Sequence, residues 1–379
     1  MDVLKRWVVG AARGLLIGWY ALCCCLPRKR RIVCFSRQSD CDPIDFLLLK
    51  RQIECDRPDY DVVILAKAIG NKLAYAAHMF KQVYYLATSR AAVLDSYCIV
   101  VSLLDPHLKI PVLQMWHALG MMKQAGYAAL GDAEGRNPET AHLLRMHKGY
   151  NSVLVSSASF TNDFAATFNV DPSIVYEAPL PRVDLLIDET ERSRRRAQIE
   201  EAFPRLRERE TVVYCPTFRK NVGQKDVQAV ENLIDEVTAR GLNFVYKPHP
   251  VSTLTIDDAR VVQDASGRYN MLFAADYVIT DYSTIMYEAG LLGVPVFLYG
   301  YDWEDYRTKR SLGINLEAGV PLLMSADPER IADAVCDREF DADAFGRFVA
   351  EYIAVPTDSS CTERIEKHLL ALMGEGKSV

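Results

Sequence analysis

An α/β architecture of two parallel-sheet domains is the fold class this sequence predicts, and three observations predict it. Short apolar, β-branched runs recur along the chain, separated by stretches long enough for helices, which is how parallel sheets covered on both faces are written. At 379 residues the chain exceeds the length at which one core keeps growing, about 250–300 residues. Half of it is hydrophobic and a quarter charged, and no segment has the polar, low-complexity composition of disorder.

The first series of strand-like runs is 32–35, 62–65, 83–86, 97–103 and 112–115, and the second is 153–155, 212–214, 244–246, 277–279 and 294–299. The stretch 187–209 is dense in Arg and Glu, reads as a solvated helix, and precedes a fresh strand at Thr211. The domain boundary is therefore expected within 185–210. In the second half, Val227, Val230, Ile234 and Val237 line one face of a helix over 225–240, at helical spacing. Further helices are expected over 283–292 and 362–373. The resulting division is 1–31, an N-terminal segment with a basic flank; 32–190, a first sheet domain; and 191–379, a second.

The N-terminus departs from an ordinary globular pattern. Residues 7–26 are apolar apart from Arg13, with Lys5 and Arg6 before them and Arg28, Lys29, Arg30 and Arg31 behind. Arg13 near the middle makes spanning a bilayer costly, whereas basic flanks at both ends suit a helix lying on an anionic, cytoplasmic membrane face. A peripheral membrane location is expected, against a signal peptide or a buried first helix. Gly10, Gly14 and Gly18 recur every four residues, a spacing that would let a second helix approach and suggests a homo-oligomer. The net charge of −6 argues against nucleic acid as a partner. The ten cysteines form no CxxC pair, and Cys34, Cys98 and Cys215 sit in apolar runs, as expected of buried thiols in a reducing compartment.

Chemistry-bearing residues collect just past predicted strands, where open α/β sheets bind ligands. Thr217-Phe218-Arg219, Lys247-Pro248-His249-Pro250 and Thr280-Asp281-Tyr282-Ser283-Thr284 together supply cations, an imidazole, hydroxyls and the free N–H groups of a helix start, a donor set suited to a nucleotide diphosphate. Alone, Asp281 or Ser283 reads more readily as a helix cap, and a lone histidine more often as structural. The prolines around His249 nevertheless fix its direction, and Glu288 lies one turn into the helix, placed for ribose hydroxyls. In the first half, Gln114-Met115-Trp116-His117 ends a strand and Lys123 follows. His117 is a candidate general base for an acceptor hydroxyl.

Neither a GxGxxG nor a GxxxxGK[ST] segment is present, so a dinucleotide or a P-loop site is not expected. Asp341-Ala342-Asp343 reads as a solvated face, and neither metal nor other cofactor is expected. The phosphates of the donor are then met by protein cations.

Taken in order, 114–117, Pro181-Arg182-Val183-Asp184, 214–219, 247–250 and 280–284 resemble the CDP-glycerol glycerophosphotransferase family of wall teichoic acid synthesis, with Arg310 as a further position. The resemblance implies a GT-B architecture of two facing Rossmann-like domains and a membrane-associated enzyme. It would transfer an alditol phosphate, glycerol phosphate first, from a CDP-alditol to a hydroxyl of a lipid-linked polyprenyl diphosphate glycan or polymer, releasing CMP. Carried over by position, His117 and His249 are catalytic. Arg219, Lys247, His249, Thr280, Asp281, Ser283, Thr284, Glu288 and Arg310 hold the donor, and Trp116, Lys123 and Arg182 lie on the acceptor side. Ala118–Met122 and Val183 depart from the family pattern, both on the acceptor side. A GT-B glycosyltransferase or sugar-nucleotide epimerase is the alternative on the same fold, and a non-catalytic membrane-docked binding protein the alternative without chemistry.

Overall fold

The computed structural model describes residues 3–375 apart from 133, 134, 220, 221, 250, 251, 253, 265, 269 and 310. Arg310 and Pro250 therefore lie outside the described residues. The chain forms two compact units, one comprising the sequence up to Ala118, Gln124–Asp184 and the sequence from Ala354 onward, the other Leu119–Lys123 and Leu185–Ile353.

The first unit holds β1 (Arg31–Ser36), β2 (Asp61–Ala66), β3 (Ala91–Leu94), β4 (Val112–Gln114), β5 (Ser152–Val155) and β6 (Val175–Glu177). They form one all-parallel sheet ordered β2-β1-β3-β4-β5-β6. The second unit holds β7 (Thr211–Cys215), β8 (Asn243–Tyr246), β9 (Val261–Val262), β10 (Tyr277–Thr280), β11 (Val296–Tyr299) and β12 (Met324–Ser325). Its order is β12-β11-β10-β7-β8-β9, again all parallel. Both orders reverse direction once, between β1 and β3 and between β7 and β10, and the crevice at such a reversal is where doubly wound sheets take ligands.

The α/β reading is borne out, with local corrections. Residues 83–86 and 97–103, read as strands, lie largely in the helices Lys72–Thr88 and Ile99–Leu104. Both runs are buried in the first core, and a short fully buried apolar run has the same composition in either state. The strand that takes their place is β3, whose four residues are completely buried. The helices Gln224–Ala239, Ile285–Leu291 and Cys361–Leu372 fall where periodicity put them.

The units part between Asp184 and Leu185, and the terminal helix, expected in the second domain, packs with the first. Asp184 explains this, because its carboxylate accepts from the Cys361 and Thr362 N–H groups at 2.8 and 3.0 Å, occupying the helix start. His368 of that helix stacks on Tyr176 with centroids 3.7 Å apart.

The N-terminal helix Val3–Cys23 buries Leu16, Tyr20 and Cys23 in the first core while Trp7, Val8, Leu15 and Leu22 are exposed. Arg13 turns inward, donating to the carbonyls of Leu103 and Asp105 at 2.8 and 3.0 Å. Among the described residues no helix is long and apolar enough to cross a membrane. A Cβ added at Gly10, Gly14 or Gly18 would meet nothing within 4 Å, so nothing in the described chain uses their small size.

Candidate active site

In the first unit the site is built at the end of β4. Trp116 adopts φ 65°, a left-handed backbone that a bulky residue rarely takes. It is held there by its N–H donating to the buried Gln114 Oε1 at 3.0 Å. The turn swings His117 beside Asp95, whose backbone carbonyl lies 2.8 Å from His117 Nδ1. A carbonyl only accepts, so Nδ1 carries the proton and Nε2 keeps its lone pair. Gln38 Nε2 lies 3.2 Å from the same Nδ1. With Nδ1 protonated, the Gln38 amide presents its oxygen there, since amide O and N are assigned from the hydrogen-bond network.

Arg182 stands behind this turn. Its Nε donates to Asp45 Oδ2 and its backbone N–H to Asp45 Oδ1, each at 2.9 Å, and Nη2 donates to the His117 carbonyl at 3.1 Å. Asp45 is buried. Arg182, expected on the acceptor side, thus has its fork turned to a buried carboxylate and holds the His117 backbone. Trp116 packs on His117 and Phe168, at 4.2 and 5.2 Å between centroids. The Asp95 side chain is buried, with Oδ1 unpartnered, and desolvation pushes its pKa up to about 6.

In the second unit β7, β8 and β10 present their carboxyl ends. Arg219, expected as a phosphate ligand, is instead committed to carboxylates. It donates to Asp302 through Nε and Nη2 at 2.9 and 3.0 Å and to Asp281 through Nη2 at 3.0 Å. Tyr282, Tyr301 and Tyr306 surround it at 5.1–5.8 Å. Asp281 is fully buried and accepts from the N–H groups of Thr217 and Tyr282 at 2.8 and 2.6 Å. Thr280 is equally buried, its hydroxyl donating to the Cys215 carbonyl at 2.7 Å. These two, expected to touch the donor, bind the ends of β7 and β10 to each other. Neither presents a polar atom outward.

The outward groups are others. Ser283 and Thr284 are partly exposed at the start of the helix Ile285–Leu291, with Ser283 Oγ accepting from the Ile285 N–H at 3.3 Å. Glu288 is partly exposed on the next turn. Lys247 follows β8, anchored by its N–H donating to the Tyr214 carbonyl at 2.9 Å, and His249 packs on Phe218 with centroids 5.6 Å apart. Desolvation, then the ammonium groups of Lys123 and Lys247, push the His249 pKa below its ordinary value. His249 is exposed as a residue. Lys123, expected on the acceptor side, belongs to the second unit, with Nζ 5.2 Å from the Tyr306 ring and its backbone bridged to Leu312. The segment carrying it passes Tyr287 at Gly120, where an added Cβ would lie 2.6 Å from the ring. Asp341, as the solvated-face reading expects, merely caps a helix by accepting from the Ala344 N–H at 2.8 Å.

Asp45, Asp95 and Asp302 are the site residues that the strand-end motifs did not single out. Asp95 sits directly past β3 and Asp302 three residues past β11, a usable signal. Asp45 lies in the helix Ile44–Asp56, and nothing local connects it to Arg182.

Doubly wound sheets with their polar chemistry gathered at the carboxyl edges are the build of GT-B transferases, and this protein is of that class. The profile of the family described as CDP-Glycerol:Poly(glycerophosphate) glycerophosphotransferase matches residues 19–371, and the chain belongs to that family. It is 26% identical over 321 residues to the teichoic acid ribitol-phosphate primase of Bacillus spizizenii, covering 82% of each chain. It is 25% identical over 266 residues to the teichoic acid glycerol-phosphate primase of Bacillus subtilis, covering 68% of each. Its fold superposes on the wall teichoic acid polymerase TagF with a TM-score of 0.74 at 15% identity, over 99% of both chains. The protein is accordingly an alditol-phosphate transferase by family, which sets aside the glycosyltransferase, epimerase and non-catalytic readings.

Proposed function

We propose that this protein transfers glycerol phosphate or ribitol phosphate from the CDP-alditol to a hydroxyl of a lipid-linked, teichoic-acid-type acceptor, with His117 as the base. The observation that carries the reading is the Nδ1–H bond from His117 to the Asp95 carbonyl, which in the neutral imidazole puts the lone pair, the proton acceptor, on Nε2. The acceptor hydroxyl gives its proton to Nε2 and its oxygen bonds to the β-phosphorus. The bond from that phosphorus to the bridging oxygen breaks, and CMP leaves with the electron pair. Lys247, His249, the Ser283 and Thr284 hydroxyls and the adjoining helix start would meet the phosphoryl oxygens, the electrostatic support on which phosphoryl transfer depends. Glu288 is the candidate for the ribose. Arg219, Thr280 and Asp281 act beneath, fixing the strand ends.

The two primase relatives, one for each alditol, stand at almost equal identity, so both donors belong in the test. A peripheral, cytoplasmic-side membrane attachment goes with a lipid-linked acceptor. In its support, the N-terminal helix turns Arg13 inward and leaves an apolar face outward. The test is CMP release from CDP-glycerol and CDP-ribitol with purified protein and a prenyl-diphosphate glycan acceptor. One donor should be turned over, and His117→Ala should lower kcat by about 10²–10⁴ with donor binding kept. Unchanged turnover in His117→Ala would remove the base from the mechanism.

A further inference from the structure

The first sheet reverses its strand order between β1 and β3, and a crevice at such a reversal is a ligand site by construction. Arg37 follows β1 directly, and Ser96 and Tyr97 follow β3. The Arg37 guanidinium lies 5.3 Å from the centroid of the Tyr97 ring, and the Arg136 guanidinium lies 5.4 Å from the same centroid. Arg37 is fixed at its backbone, whose N–H donates to Ser96 Oγ at 3.3 Å.

Among the described residues neither guanidinium is in an ion pair. Every other functional arginine described above is turned to a carboxylate, so this pair is unlike them. Arg37 Nε is buried without a hydrogen-bond partner, and the buried Tyr75 hydroxyl lies next to the Arg37 side chain, which hydrogen-bonds it. Asp95 is the carboxylate that acts on Arg37 from the end of β3, at longer range. The two arginines also act on each other and on the buried His147. Two like charges beside one ring repel each other, and a buried donor left over costs free energy as well. An anion with several acceptor oxygens removes both costs, and paired forks match phosphate.

We propose that this crevice is a phosphate-binding subsite for the acceptor, with Arg37 and Arg136 gripping phosphate oxygens. The inference rests on the reading that the His117 unit takes the acceptor. Its chemistry fits either the diphosphate of a lipid carrier or a phosphodiester already in a polymer.

The experiment uses full-length protein with its donor site occupied by CDP, titrated with inorganic pyrophosphate and followed by calorimetry. Arg136 is exposed, so Arg136→Gln leaves folding intact. That variant should bind pyrophosphate at least tenfold more weakly, and Arg37→Gln/Arg136→Gln should show no binding. In turnover, Arg136→Gln should raise acceptor KM about tenfold, with donor KM within twofold. If only a diphosphate-linked glycan shows that rise, the carrier diphosphate is the ligand. If a glycerol phosphate oligomer on a neutral aglycone also shows it, the ligand is the polymer phosphodiester. Pyrophosphate binding unchanged in Arg136→Gln overturns the subsite. Should no CDP-alditol be turned over at all, the proposed reaction fails, while the pyrophosphate titration still decides the subsite.

Discussion

At Arg219 the surroundings of the side chain say more than its type. Its fork is suited to phosphate, yet two carboxylates and three tyrosine rings enclose it. Arg219→Lys keeps the charge but cannot reach Asp281 and Asp302 together. The expected outcome is a loss of kcat of tenfold or more, together with a lower melting temperature. A direct phosphate ligand would instead give weaker donor binding at unchanged stability, so calorimetry with CDP alongside thermal melting separates the two. Asp45 carries the matching prediction in the first unit. Asp45→Ala strands a partly buried guanidinium, a change that costs about 3–5 kcal/mol, read by urea unfolding. Asp45→Ala/Arg182→Ala should cost less than the sum of the single variants, since both remove one interaction.

At the scale of elements, the N-terminal helix and the β7, β8 and β10 ends carry the weight. In the N-terminal helix Arg13 finds two carbonyls to bond, which removes it from the exposed apolar face. Trp7→Glu/Leu15→Glu should therefore release the protein from anionic phospholipid vesicles in flotation with its melting temperature unchanged, since both side chains are exposed. Continued flotation would place attachment elsewhere. The periodic helices were legible because amphipathic spacing is a property of the local chain. The runs 83–86 and 97–103 were not, because a short, largely buried apolar run leaves only composition to read.

For the whole molecule, the buried His147 and the partly buried His368 shape the response to acid. Desolvation pushes His147 down to about 3 and His368 down to about 4, so both are neutral in the folded chain at pH 5. The unfolded chain takes up these protons near pH 6.5 and the folded chain does not, so stability falls as pH drops below that value. From His147 alone the loss at pH 5 is about 2 kcal/mol. Asp95 acts oppositely, since its raised pKa lets the folded chain gain a proton first, between pH 6 and 4, but one carboxyl does not offset two histidines. Melting temperatures at pH 7.5 and 5 should differ, and His147→Asn should shrink the difference. An equal drop in that variant would exclude His147 as a cause.

By itself the sequence determined the α/β class, the two-sheet plan, the strand-end motifs and the family, because these depend on local composition and on short segments whose order survives in the chain. Only the tertiary structure decided which motif residues face outward and which are turned inward. Asp45 meets Arg182 and Arg219 meets Asp302 across long sequence separations. No local pattern encodes which carboxylate will neutralise which guanidinium.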